Sequence, residues 1–269
     1  MMQRSLGTVL IVMTTILLVF AGVARAELLV ATDLNDGGTD TGFSGNWEGS
    51  VNRMLIAADD LVYANYGITQ TGTTQRVFGG NTTHKDRMRS RDLEAAMSGE
   101  IWFSLLVNVP ADGGFAGISF HSDTAAEAPN TYSHNLADLR VMVTTNALWV
   151  DWEGASVNNE TWTPDATAGS FSPGTHLILG HMIIGAGNDT LNIWVDPDLR
   201  NVTSPGGLPA ATYSNTTIDF MESIVRIGVP IWVNGLDTAD AIWLSDTATA
   251  FYDVTGCTPP PKGTFLVIR

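Results

Sequence analysis

Short runs of β-capable apolar residues, each cut off within a few positions by Gly, Pro, Asn or Asp, recur along almost the whole chain. This pattern constrains the fold more than any other feature, because frequent breaks leave room for strands and deny helices their length. Ile101–Val109 reads IWFSLLVNV, too continuously apolar for a strand with one wet face and suited to the middle of a sandwich. Glu27–Thr32, Phe115–Phe120, Leu139–Thr144, Ala147–Trp152, Ile224–Ile227, Ala241–Ser245 and Phe251–Val254 have the same character. Thr175–Ile184 and Thr190–Val195 form a pair joined by Gly185-Ala186-Gly187-Asn188-Asp189, a loop chemistry that closes hairpins. The best helical stretch, Asp92–Met97, is barely a turn and a half. The 27 Gly and 11 Pro residues are spread as turn punctuation rather than gathered in a linker. The expectation is one all-β sandwich or barrel, with the opening and closing runs, Glu27–Thr32 and Phe251–Val254, as neighbours in one sheet.

The first residues read as an address. Arg4 is followed by an apolar or small stretch from Leu6 to Val23 and then by Ala24-Arg25-Ala26. A basic start, an apolar middle and an A-x-A site make residues 1–26 a signal peptide, cleaved after Ala26 to leave Glu27 first. A retained signal anchor is the competing reading, since the stretch is long enough to cross a bilayer. No other stretch is apolar enough to span, so a secreted, extracellular or periplasmic protein is expected. Residues 27–255 form the domain, and 256–269 a Pro-containing tail.

Composition narrows the partners. The whole chain carries 13 Lys+Arg against 28 Asp+Glu, a formal charge of −15, the wrong sign for a nucleic-acid surface. The single cysteine, Cys257, beside Pro259-Pro260-Pro261, has no internal partner, so an exported domain must stand on its core alone. Cys257 reads either as an attachment or dimer-forming thiol or as an incidental one in a loose tail.

Several segments, in order, resemble one family. Leu191-Asn192-Ile193-Trp194-Val195-Asp196-Pro197-Asp198-Leu199 is similar to a strand end of concanavalin A-like, laminin-G-like jelly-roll domains, of the kind found in secreted planctomycete-type PEP-CTERM proteins. Ile101–Val107, Gly113–Phe120, Asp240–Ser245 with Phe251–Thr255, and Phe43-Ser44-Gly45-Asn46-Trp47 are similar to further segments of it. The sequence departs from that pattern at Ala241-Ile242-Trp243-Leu244, where the family usually has Glu-Ile-Arg-Ile, and it reaches Arg269 without a PEP motif or sorting tail. The resemblance spans about Leu28 to Thr255 and implies a bacterial, exported jelly-roll sandwich of two antiparallel sheets; it implies no activity.

The residues offer no complete catalytic constellation. Thr217-Ile218-Asp219-Phe220-Met221-Glu222 resembles the Glu-x-Asp-x-x-Glu signature of laminarinases with Thr at the nucleophile position, and a threonine hydroxyl without a base is no substitute. Asp151 and Glu153 share a face if that run is extended, and read as a solvated acidic edge. His84, His121, His134, His176 and His181 lack metal-ligand spacing, and His176 and His181 fall on opposite sides of one strand. Serine elbows, P-loops and dinucleotide glycine patterns are missing.

Two loops are candidates for binding. Asp33, Asn35, Asp36 and Asp40 pack hard oxygens around a glycine turn, a calcium-type donor set without EF-hand spacing; a plain Asx-turn loop is the alternative. Trp102, Trp194, Trp232 and Trp243 sit in apolar runs and read as core. Trp149 and Trp152 point to opposite faces of one strand, so one of them is outward. Trp162 lies in a polar loop with Asn158 and Asn159, and indoles beside Asn and Asp suit an extracellular polysaccharide or other glycan. The alternative for Trp152 and Trp162 is a role as core or loop anchors. His84–Arg91 holds a basic stripe, Arg87, Arg89 and Arg91, which reads as an anionic-polysaccharide contact or as a charged edge that blocks strand-to-strand aggregation. The leading reading is a secreted non-enzymatic β-sandwich module that binds glycan or mediates extracellular contacts; a glycan-active hydrolase and a purely structural extracellular component are the alternatives.

Overall fold

A computed structural model describes residues 28–32, 47–49, 54–57, 61–66, 68–71, 76–79, 87–111, 114–123, 138–152, 164–231 and 238–257. Its strands are β1 (Leu28–Thr32), β2 (Trp47–Gly49), β3 (Met54–Ala57), β4 (Val62–Asn65), β5 (Ile68–Thr71), β6 (Arg76–Gly79), β7 (Arg87–Met97), β8 (Gly99–Val109) and β9 (Phe115–His121). They continue with β10 (Leu139–Thr144), β11 (Leu148–Asp151), β12 (Ala166–Ala168), β13 (Gly174–Ile184), β14 (Thr190–Val195), β15 (Tyr213–Asn215), β16 (Ile224–Ile231) and β17 (Thr238–Ser245). One short α-helix, α1 (Ala250–Thr255), follows. The expected all-β jelly-roll sandwich of two antiparallel sheets is what the chain forms. No helix among the described residues is long and apolar enough to cross a membrane.

One sheet runs β15-β14-β13-β8-β17-β6-β3, with β1 also on β17; the other runs β12-β11-β10-β9-β16-β7-β2. Ile101, Phe103, Leu105 and Val107 of β8 face Ile118, Phe120, Val141 and Val229 of the opposite sheet in the main core. The alternate β8 residues Trp102 and Leu106 meet a second cluster on the outer side, under Tyr63 of β4 and Phe251 and Val254 of α1. Burial on both faces explains why Ile101–Val109 carries so little polarity.

Two local assignments differ from the sequence reading. Asp92–Met97 is the end of β7, not a helix, because pairing with β16 overrides the helix-forming preference of Leu, Glu, Ala and Met. Phe251–Val254 is helical, not a strand: Phe251 and Val254 fall one turn apart on the face that covers Trp102, and Gly256 at φ +68 stops the helix. The opening strand pairs instead with β17, Leu28 opposite Ser245.

Polar groups fasten the outer layer. In β17 the ladder shifts between Asp240 and Trp243, and Ala241 takes φ +49. Buried Asp240 accepts the Leu61 N–H at 2.9 Å, docking the β4–β5 hairpin. His176 and His181 do fall on opposite sides of β13. His181 stacks on Trp102 with ring centres 4.3 Å apart. His176 Nδ1 lies 2.6 Å from Asp196 and Nε2 2.7 Å from the Ser172 carbonyl, so both nitrogens face acceptors. Burial would lower its pKa, but the bond to Asp196, that carboxylate's charge and the Ser172 carbonyl raise it overall. Cys257 is half-buried against the second cluster rather than loose.

Candidate functional site on the outer face of the seven-stranded sheet

Alternation along β9, β10 and β11 sends Ile118, Val141 and Val150 inward and their neighbours outward. The register then lines up the outward residues across the strands: Asp151 opposite Arg140, Arg140 opposite Ser119, and Ser119 opposite Gly228 and so in line with Ser90. Arg140, Asp151, Ser119 and Ser90 are each at most 1% exposed, so this polar row is held dry and needs internal partners. Arg140 bonds Asp151 at 2.5 Å, and Ser119 Oγ meets His121 Nε2 at 3.0 Å. Arg226, opposite His121, bonds Asp92 at 2.6 Å and reaches Ser90 at 3.4 Å. The sheet closes tightly here: a Cβ on Gly117 would come within 2.1 Å of the Val141 carbonyl oxygen.

An accessible part of this face lies at the β11–β12 edge. Trp149 is half-buried, opposite exposed Thr167, with its ring centre 6.2 Å from that of Phe115. One step along, Asp165 precedes β12, is exposed, and accepts the Trp152 N–H at 2.7 Å. Burial pushes the Asp151 carboxyl up to about 6; Arg140 opposes this, and a hydrogen bond and charge from Asp165 add to it. An indole face, a hydroxyl and a carboxyl thus meet on two adjacent strands. That combination takes the apolar face of a sugar ring and its hydroxyls.

The residues singled out from sequence are distributed differently. Trp152 is half-buried, points inward, and packs against Phe220 with ring centres 6.1 Å apart. The outward indole of that strand is Trp149. Trp162, Asn158 and Asn159, and the candidate calcium ligands Asp33, Asn35, Asp36 and Asp40, lie outside the described residues. Among the described residues no group of three His, Cys, Asp or Glu side chains is placed to hold a metal ion. Asp151 is partnered across strands by Asp165 and Arg140, and Glu153 lies outside the described residues. Thr217–Glu222 is a loop between β15 and β16, with Asp219 and Glu222 exposed and Phe220 and Met221 buried. Arg87, Arg89 and Arg91 occupy alternate positions of β7, opposite Ile231, Val229 and Ile227. Asp165, Thr167 and Arg140 were missed because only the strand register brings them together; the usable signal was the parity that sets Trp149 and Asp151 on one face.

No protein-family model matches the sequence, and no curated protein matches it. Among solved structures it is similar to the Emp46p carbohydrate recognition domain in its metal-free form, at 12% identity over 82% of this chain and 100% of that one, TM-score 0.45. It is also similar to the Emp47p carbohydrate recognition domain, at 14% identity over 80% and 92% of the two chains, TM-score 0.44. A β-glucanase catalytic domain from Podospora anserina matches at 10% identity over 82% and 97%, TM-score 0.43. At this distance no activity passes from those proteins to this chain.

Proposed function

We propose that this protein is a secreted, non-enzymatic glycan-binding module whose saccharide site is the outer face of the β11–β12 edge. The observation that carries this reading is the half-buried, outward-facing Trp149 with exposed Thr167 opposite and exposed Asp165 one step away. Trp162, Asn158 and Asn159 belong to the same proposal through their place in the sequence between Trp152 and Asp165. Export follows from the residue 1–26 leader, and an extracellular polysaccharide is the partner that an acidic exported module with this surface meets.

Two features favour binding over hydrolysis. Carboxyls in two-carboxylate glycosidases stand roughly 5–10 Å apart, so that one can protonate and the other attack or activate water. Asp151 and Asp165 are instead each engaged by the protein, Asp151 by the Arg140 guanidinium and Asp165 by the Trp152 N–H. The glucanase-like segment, for its part, is a loop rather than a strand presenting its acids on one face.

A glycan array with purified protein, followed by calorimetry on Trp149→Ala and Trp152→Ala, tests the reading. Aromatic stacking contributes roughly 0.5–1.5 kcal/mol beyond area burial, so Trp149→Ala should weaken binding about 2- to 12-fold with little change in melting temperature. Trp152→Ala should mainly lower the melt, because its ring packs on Phe220. Unchanged affinity in Trp149→Ala, or an array without a single hit, would sink the proposal.

A further inference from the structure

The short connection from β12 to β13, residues 169–173, carries the chain from one sheet to the other, and it closes on His176. Gly169, at φ +70, leaves room for the Phe171 ring, whose tip would stand 2.6 Å from an added Cβ. Phe171 meets the His176 ring edge-on, with centres 5.7 Å apart. The Ser172 carbonyl oxygen lies 2.7 Å from His176 Nε2. Pro173 follows without an N–H to fasten the bend. On the other side of the ring, Nδ1 lies 2.6 Å from Oδ2 of Asp196, just past the end of β14. Asp196 stands at φ +52 and is fixed by β13: its Oδ1 accepts the Leu177 N–H at 3.0 Å, and its own N–H donates to the Leu177 carbonyl at 2.9 Å.

A carbonyl oxygen and a carboxylate can only accept. A neutral imidazole has one N–H, so it satisfies one of these oxygens and turns a lone pair on the other at hydrogen-bond distance. An imidazolium satisfies both. His176 is 7% exposed, so water has little access to mend a mismatch.

We propose that His176 is held as an imidazolium that ties the 169–173 connection, and with it the edge strand β12, to the end of β14, and that this tie opens when the ring loses a proton. The proton that remains stays on Nδ1, against the charged acceptor Asp196, which makes the stronger bond. Nε2 is then left with a lone pair against the Ser172 carbonyl. Ser172 is exposed, so its carbonyl turns to water and the connection loosens. β12 has three residues, pairs with β11 and carries Thr167, with Asp165 just before it, so it feels the release first. The tie needs no ligand; its bearing on the saccharide site rests on the reading given above.

The charged group that faces His176 is Asp196. Across β8 its neighbour is the apolar Val107, and from the connection it meets Phe171 and Ser172, which carry no charge. Tyr63 of β4 has its phenol raised by burial and by the Asp196 carboxylate, so it stays neutral. Asp198 and Arg200, beyond β14, pair with each other. A base whose folded pKa is raised contributes stability that is fully present below the unfolded value of 6.5 and is lost as pH rises through the folded one. Asp151, raised to about 6 on the other sheet, shifts stability in the same direction, and His181, lowered by burial, in the opposite one. A whole-protein melt therefore does not isolate His176.

Ring NMR of the full chain from about pH 5 to about pH 9, with through-bond assignment, reads each histidine by itself. The His176 midpoint should lie above 6.5, with protons on both ring nitrogens below that midpoint. Asp196→Asn tolerates the same φ and keeps an oxygen for the Leu177 N–H, so the midpoint should fall below 6.5 as burial prevails. Amide exchange, corrected for its intrinsic pH dependence, is the second readout. Exchange at residues 166–172 should quicken several-fold as wild type passes through the His176 midpoint, while Ile178 and Leu179 in the middle of β13 keep their rates. His176→Gln should show no such step. A wild-type midpoint at or below 6.5, a bare ring nitrogen below it, or a midpoint unmoved in Asp196→Asn overturns the imidazolium. Exchange at 166–172 that ignores the midpoint, or the same step in His176→Gln, overturns the tie.

Discussion

Asp189→Ala is expected to lower the melting temperature by roughly 8–16 °C, the largest loss from any single polar side chain described here, taking about 2–4 °C per kcal/mol for a domain of this size. Asp189 is 1% exposed at the end of the β13–β14 hairpin loop. Its Oδ1 accepts the Gly185 N–H at 3.1 Å, closing the loop on itself. Its Oδ2 accepts the Phe220 and Met221 N–H groups at 2.6 and 3.1 Å, pinning the segment that resembles a glucanase motif. Each buried donor left without an acceptor costs about 1–3 kcal/mol, and bonds to a charged acceptor sit at the upper end, so about 4 kcal/mol in total is expected. Asp189→Asn keeps one acceptor oxygen and should fall between alanine and wild type. A melt for Asp189→Ala within a degree or so of wild type would mean that Phe220 and Met221 are held by core packing alone.

Gly117→Ala should be nearly as damaging, for a steric reason. The added methyl would lie 2.1 Å from the Val141 oxygen and 2.7 Å from Met142 Cα, both backbone atoms of the neighbouring strand. Neither swings aside as a side-chain tip does, so β9 and β10 must part in the middle of the sheet. Overpacking costs typically about 1–3 kcal/mol and more when backbone must move, so a loss of about 3 kcal/mol, or roughly 6–12 °C, is expected. Because Gly117 lies in line with Met142 and Trp149, saccharide affinity should drop in the same variant. Gly185→Ala is the control, since nothing lies within 4 Å of its added Cβ. Equal melts for the two variants would show that the β9–β10 ladder yields easily.

The strands were legible where both faces of a strand are buried or where alternation is clean. Leu139–Thr144 and Thr190–Val195 match β10 and β14, Thr175–Ile184 matches β13 to within one residue, and Ile101–Val109 matches β8 to within two. The errors fell where local preference and tertiary environment disagree. Asp92–Met97 has helix-forming residues but an unsatisfied neighbour in β16, while Phe251–Val254 has strand-forming residues but only a single face to bury. The site was harder to read for a different reason. Arg140, Asp151 and Asp165 acquire their chemistry from cross-strand register, and register depends on long-range pairing that no local window contains. Trp149 was visible as one of two indoles on opposite faces, but which of them faced out depended on the sheet's position in the sandwich.

The place of β17 also sets when this chain becomes a protein. Its near edge pairs with β8, while its far edge is divided between β6 and β1, so the first strand made waits for the last. During vectorial synthesis or passage through a translocation pore, β1 and β8 emerge long before their shared partner. Contacts so distant in sequence close late and make folding slow. A chain threaded through a pore before β17 is free would therefore travel as a loose polymer and set into shape only afterwards. A partner that covered the β8 edge in transit would hold it in that threadable form, and release of the edge would be the event that commits it to its final shape.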